Sequence, residues 1–200
     1  MVSSENLLPV DSYRSILYRV CMGLPARYRP HYTVEDYEQW SGDWELWSGT
    51  AVAMSPSPKK VHQRLSKRLV TLLDEALRKA NCKSCEALQE VDWRVSQDTV
   101  FRPDVFIACS DEDTDYIERP PRLIAEILSE STREKDRHFK LEAYQALGVG
   151  YYIMVGPEDS TIVFLELIEG EYREKSELEE VELVLDEEYK IPLRLTRLFD

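Results

Sequence analysis

Apolar positions recur along this chain with two different periods, and the switches between them outline its elements. Val61, Leu65, Leu69, Leu72, Leu73, Ala76 and Leu77 fall three and four apart, which predicts an amphipathic helix from residue 59 to about 80 whose other face is basic. Alternation and short apolar runs predict strands at 86–95, 100–109 and 122–128. Helical spacing returns over 134–147 and stops at Gly148, a residue suited to a helix C-terminus. Residues 151–155 and 161–168 read as strands, followed by short acidic strands as far as Pro192. Upstream, Thr33 with Asp36 signals a capped helix to about Trp40. WELWSGTAVAM reads as two strands about Ser48-Gly49, ended by Pro56 and Pro58. Strands clustered between helices predict a mixed α/β sheet.

With 200 residues the chain is long enough for one domain with a sizeable core. The reading is a single domain, 1–200: a lead-in over 1–31 with a helix near 11–21, a core over 32–168, and acidic strands over 169–200. No repeat or low-complexity tract interrupts it. No apolar run reaches the ~18 residues of a membrane span and the first residues lack a signal-peptide pattern, so a cytoplasmic protein with no membrane partner is expected. Cys21, Cys82, Cys85 and Cys109 are too few and too irregular for a disulfide scaffold and read as free thiols. The Cys82/Cys85 pair lacks the second pair or spaced histidines of a zinc site.

The net charge of -13 speaks against nucleic acid until its distribution is considered. Residues 157–200 hold 14 acids and 5 bases, whereas residues 59–83 hold 8 bases and 2 acids. A basic face is therefore available on the predicted helix, and the acidic C-terminal stretch reads as a solvated face.

Three residues stand out against their surroundings. Glu126 lies within RLIAEILS, the composition of a strand covered on both faces. An unpaired carboxylate there costs several kcal/mol or takes up a proton, so it calls for a metal ion or a base, unless it pairs with Arg122 or faces solvent. Asp104 follows Arg102-Pro103 and opens the apolar run VFIAC. Pro-Asp is also ordinary turn chemistry, but adjacent strands would bring Asp104 and Glu126 to one cation, and two carboxylates plus water commonly hold magnesium. Lys140 follows on the next helix, four residues after Asp136 and four before Tyr144. Directed at two acids it would orient a water or neutralise phosphate charge; alternatively it forms a surface pair with Asp136. Gly148 and Gly150 form no phosphate loop, and residues 129–132 read as a turn rather than a nucleophile.

These segments, RPD, AEILS, an RxKxRxxK helix from Arg133 to Lys140, and GVGYYIMVGP, together with WELWSG and MSPSPKKVHQRL, are similar to the bacterial Uma-type restriction endonuclease family of the PD-(D/E)xK nuclease superfamily. The resemblance spans about 33–167. It implies a restriction-endonuclease-like fold, a central mixed β-sheet flanked by helices, and metal-dependent hydrolysis of DNA phosphodiester bonds. It makes Asp104 and Glu126 the metal acids, adds Glu45 as a third carboxylate, and places His62 at the mouth of the site. The residue two after Glu126 is Leu128 rather than the superfamily's lysine, and the resemblance assigns that role to Lys140. Thr50 and Gly150-Tyr151-Tyr152 also depart from the family pattern. The implied cofactor is Mg²⁺ or Mn²⁺. The candidate DNA track is Lys59, Lys60, Arg64 and Lys67 with Arg133, Lys135 and Arg137, and cutting two strands from single sites favours a homodimer. The alternative is a non-catalytic binding module on the same fold, its acids and Lys140 forming a buried ion-pair network.

Overall fold

The computed structural model of the protein describes residues 30–54, 59–109, 115–129 and 135–200, and of Lys135 the backbone only. Residues Tyr32–Asp200 form one compact unit, and the expected 11–21 helix lies outside the described residues. The first unit element is α1 (Val34–Tyr37), where Thr33 and Asp36 exchange the two hydrogen bonds of a capping box. Strands β1 (Trp44–Trp47) and β2 (Thr50–Ala53) follow, joined through Ser48 and Gly49 at φ 46° and 77°, the paired left-handed residues of a tight hairpin. Helix α2 (Lys60–Lys79) then buries Leu65, Leu69, Leu73, Ala76 and Leu77 along one stripe, as its spacing predicts.

The two strands expected at 86–95 and 100–109 are each divided. The first becomes β3 (Cys85–Leu88) and β4 (Trp93–Ser96), the second β5 (Thr99–Phe101) and β6 (Val105–Cys109). β3 pairs with β6 and β4 with β5, so the four pieces are one long hairpin that passes from one sheet into another. The break has two local causes. Glu90 adopts φ 54°, outside the extended region, and Pro103 has no N–H to continue a ladder. The two breaks lie side by side, Glu90 N donating to Pro103 O at 3.1 Å.

β7 (Leu123–Ile127) and β8 (Tyr151–Gly156) run parallel, linked by a π-helical turn (Lys135–Lys140) and α3 (Leu141–Ala146). The chain continues through β9 (Thr161–Ile168), β10 (Glu171–Glu174), β11 (Val181–Val184), β12 (Lys190–Leu193) and a 3₁₀ turn (Leu195–Phe199). Among the described residues the central sheet has the order β10-β9-β8-β7-β6-β3, a smaller one the order β2-β1-β5-β4, and β11-β12 form a hairpin. The mixed sheet expected from sequence is therefore present. Among the described residues no helix is long and apolar enough to cross a membrane.

The period-two alternation of β7 divides the core. Leu123, Ala125 and Ile127 face α2 and the C-terminal hairpin, while Ile124 points to the other side, toward Tyr144 of α3 and Trp93 and Phe101 of the smaller sheet. The acidic C-terminal stretch is accordingly a half-buried element rather than a solvated face. Val181, Leu183, Leu185, Ile191 and Leu193 enter the core while Glu182, Val184, Lys190 and Pro192 stay exposed, and Arg68 of α2 donates to the carbonyls of Leu198 and Asp200. The cysteines require a second correction. The β3/β6 register sets Cys85 directly opposite Cys109, Cα atoms 4.0 Å apart, and they form a disulfide; Cys82 stays a buried thiol. Sequence spacing does not encode such a pairing, because the partners meet only through the ladder.

Leu183 is fully buried, so Leu183→Ala lowers stability by about 2–5 kcal/mol, whereas Glu182→Ala on the opposite face stays within about 0.5 kcal/mol. Urea unfolding monitored by circular dichroism checks both values.

Candidate active site

The space between the two sheets holds charge. Glu126, at the position of β7 that points toward the smaller sheet, is 3% exposed; Glu45 of β1, Asp136 and Lys140 are equally buried. Sequence left open whether Glu126 pairs with Arg122 and whether Asp136 and Lys140 meet at the surface. Arg122 is exposed, and the lysine lies inside. Lys140 Nζ lies 2.9 Å from Glu126 Oε1, 3.1 Å from Glu45 Oε1 and 3.8 Å from Asp136 Oδ1. The π-helical turn ends at Lys140, so it delivers the ammonium to this space, and Asp136 at its start shares the inward side.

Asp104 reaches the same strand by a different route. β6 pairs with β7 through Val105↔Ala125, and one further step of that antiparallel register sets Asp104 opposite Glu126. Its Oδ2 accepts from the Ile127 N–H at 2.7 Å and lies 3.1 Å from His62 Nε2. His62 leaves the first turn of α2 to meet it, so the helix, β6 and β7 converge on this carboxylate. Glu45 Oε1 accepts from the Arg102 N–H at 2.9 Å, which binds the smaller sheet to the segment leading into Asp104.

Residues that sequence reasoning did not place in the site hold these groups in position. Tyr144 donates its hydroxyl to Glu126 Oε1 at 2.9 Å, and Tyr152 donates to the Asp136 carbonyl at 2.9 Å. The four-residue spacing of Asp136, Lys140 and Tyr144 was the available signal. Arg102 donates to Asp92 at 2.7 Å, to Asp43 at 3.1 Å and to the Tyr37 hydroxyl at 3.0 Å, a clamp assembled from residues far apart in the chain that no local pattern announces.

The electrostatics follow from burial. Desolvation pushes the Glu126 carboxyl well above its ordinary range, with Asp104, Asp136 and Glu45 adding to the rise and Lys140 opposing it. Burial alone would depress Lys140, but Glu126, Glu45 and Asp136 outweigh it and hold the ammonium well above its ordinary value. Lys140 is therefore a fixed cation. Burial, then the charges of Glu126 and Glu45, keeps the proton on Tyr144, so its hydroxyl remains a donor. Burial opposes the charging of His62, but its bond to Asp104 prevails and the imidazole is raised above 6.5.

Among the described residues no three His, Cys, Asp or Glu side chains form a ready-made metal cage. Among the described residues the hydrogen bonds of Glu126 fall on Oε1 and those of Asp104 on Oδ2, which leaves Glu126 Oε2 and Asp104 Oδ1 as the oxygens a cation could take. Lys59, Lys60, Arg64 and Lys67 are exposed on α2, and Arg137 is exposed on the π-helical turn. Arg133 and the Lys135 side chain lie outside the described residues.

A family model described as "Uma2: Putative restriction endonuclease" matches residues 34–194. Among solved structures, the fold is similar to that of "a putative nuclease belonging to DUF820 from Anabaena variabilis ATCC 29413", with a TM-score of 0.65 at 15% identity over 84% of this chain and 97% of that one. A likeness at that identity concerns the fold, which is restriction-endonuclease-like. No curated protein matches the chain.

Replacing Lys140 by methionine leaves the surrounding carboxylates without their counter-charge and costs about 3–5 kcal/mol at neutral pH. The folded state then binds more protons than the unfolded one, because Glu126 is already raised above its ordinary 4.5, so stability falls as pH rises and returns as pH is lowered toward that value. Denaturant titrations of Lys140→Met across pH test both the size and the sign.

Proposed function

This chain belongs to the Uma2 family, the family described as "Putative restriction endonuclease", and from that membership and the geometry of the buried cluster we propose that it is a metal-dependent endonuclease hydrolysing DNA phosphodiester bonds. The observation that carries the reading is Lys140 held 2.9 Å from Glu126, itself opposite Asp104, with one oxygen of each acid still open. Hard carboxylate oxygens of this kind suit Mg²⁺ or Mn²⁺, which proteins bind through one or two carboxylates and complete with water. Asp104 and Glu126 would hold the ion, with Glu45 beside them. Such an ion lowers the pKa of a bound water and polarises a phosphoryl oxygen.

The protein's own groups supply the rest. A lysine held above its ordinary pKa does not accept a proton, so Lys140 acts as a fixed positive charge where the phosphate gains negative charge in the transition state. Tyr144 and the Ile127 N–H fix the two acids in orientation, each by a hydrogen bond that leaves the other oxygen free. His62, bonded to Asp104, adds a second donor at the edge of the site. Lys59, Lys60, Arg64 and Lys67, with Arg137, supply the phosphate track among the described residues, and their charges bind any sequence alike. Among the described residues the chain has one such cluster, so a homodimer would supply the second needed for cutting both strands.

A different reading, a non-catalytic binding module, draws on the fact that Glu126, Glu45 and Asp136 already share Lys140, as a purely structural ion network would. Nicking of supercoiled plasmid separates the two. With Mg²⁺ or Mn²⁺ the wild type nicks, EDTA abolishes nicking, and Glu126→Gln and Lys140→Ala, each checked for folding, reduce it by at least about a hundredfold. Calorimetry shows metal binding that Asp104→Asn removes. Equal nicking by wild type and variants, with no metal bound, would leave the binding module as the answer.

A further inference from the structure

Beside the buried charges lies an aromatic feature that the proposed chemistry does not use. Phe139 immediately precedes Lys140 on the π-helical turn, yet it is 41% exposed while the lysine is 5% exposed. Its ring lies flat on Trp47, with centroids 4.1 Å apart and planes within 11° of parallel. Trp47 stands two residues beyond Glu45 on β1, so both side chains leave the same face of that strand. Behind the pair sits the buried ring of Phe101, 6.2 Å from Trp47 and 6.5 Å from Phe139. The rings thus run from the core outward through Trp47, two residues from Glu45, and end in Phe139, one residue from the site's lysine. Arg137 is exposed two residues earlier on the same turn.

The chemistry of this arrangement selects its ligand. A nucleobase offers a flat π-face of similar size, and successive bases of a single strand stack on exposed aromatic rings irrespective of sequence. Bases inside a duplex have both faces engaged and reach such a ring only when extruded. Arg137, exposed on the same turn, adds a positive charge to this region for the phosphates of such a strand.

We propose that the Trp47–Phe139 stack is a platform for one unpaired nucleobase beside the scissile phosphate, which makes a single-stranded or locally unpaired polynucleotide the preferred substrate. This substrate class rests on the nuclease reading, but the platform is tested by binding alone. Fluorescence anisotropy of the full chain in EDTA, where no metal-dependent cutting occurs, is measured with labelled oligo(dT), oligo(U) and a fully paired DNA duplex of equal length. The wild type binds a single strand more tightly than the duplex. Phe139→Ala and Phe139→Leu weaken single-strand binding about tenfold and leave duplex binding unchanged, because leucine keeps apolar area without a π-face. Phe139→Tyr retains the affinity. The stronger of the dT and U arms identifies the nucleic acid, and either supports the platform.

The proposal is overturned if the wild type shows no preference for single strands, if Phe139→Leu binds as the wild type does, or if single-strand and duplex binding fall together. Parallel plasmid nicking keeps the two ideas apart. Lys140-dependent nicking with Phe139-independent binding retains the nuclease and removes the platform, whereas Phe139-dependent binding without metal-dependent nicking does the reverse.

Discussion

The ammonium of Lys140 between Glu126, Glu45 and Asp136 is the interaction on which the arrangement of this protein turns. Each carboxylate comes from a different place: the central sheet, the smaller sheet, and the π-helical turn. None of them could be buried alone without a cost of several kcal/mol, and the lysine could not be buried without them. The two sheets and the crossover helix are therefore held in one mutual geometry by charge, in a region where apolar packing by itself would tolerate small shifts. A site that must align two oxygens and an ammonium to within a fraction of an ångström benefits from that constraint.

A second layer of order surrounds the first. The segment Arg102-Pro103-Asp104 is where a long hairpin leaves one sheet for the other, and each of its residues has a separate task. Arg102 clamps Asp92, Asp43 and Tyr37 with its guanidinium and Glu45 with its N–H. Pro103 ends the ladder, and Asp104 accepts from β7 next to Glu126. Backbone break, clamp and acid thus fall on three consecutive residues.

Much of the fold was legible because it depends on local periodicity. The stripe of α2, the capping box at Thr33, the Ser48-Gly49 hairpin and the strands of the central sheet are specified by neighbours within a few residues. Glu126 and Asp104 were visible for a related reason, since an acid in an apolar strand conflicts with its own surroundings. Tyr144 shared the four-residue spacing of Asp136 and Lys140 but nothing in the sequence gave it a partner, and Arg102 carried no signal, because an arginine before a proline conflicts with nothing. The bend of the 86–109 hairpin was also hidden: its apolar runs are the same whether the strands stay in one sheet or change sheets.

What the sequence determined by itself was the long helix α2, the strands of the central sheet, the mixed α/β class and the anomalous acids, all of which follow from side-chain pattern and the energy of burying charge. Tertiary structure decided which groups meet. The ladder register joined Cys85 to Cys109 and set Asp104 opposite Glu126. The packing of two sheets decided between the two readings of Lys140, placing it with Asp136 in a buried cluster rather than in a surface pair, and put half of the acidic C-terminal hairpin in the core. These outcomes rest on contacts between residues far apart in the chain, where the energy of a pair depends on geometry that no local spacing carries.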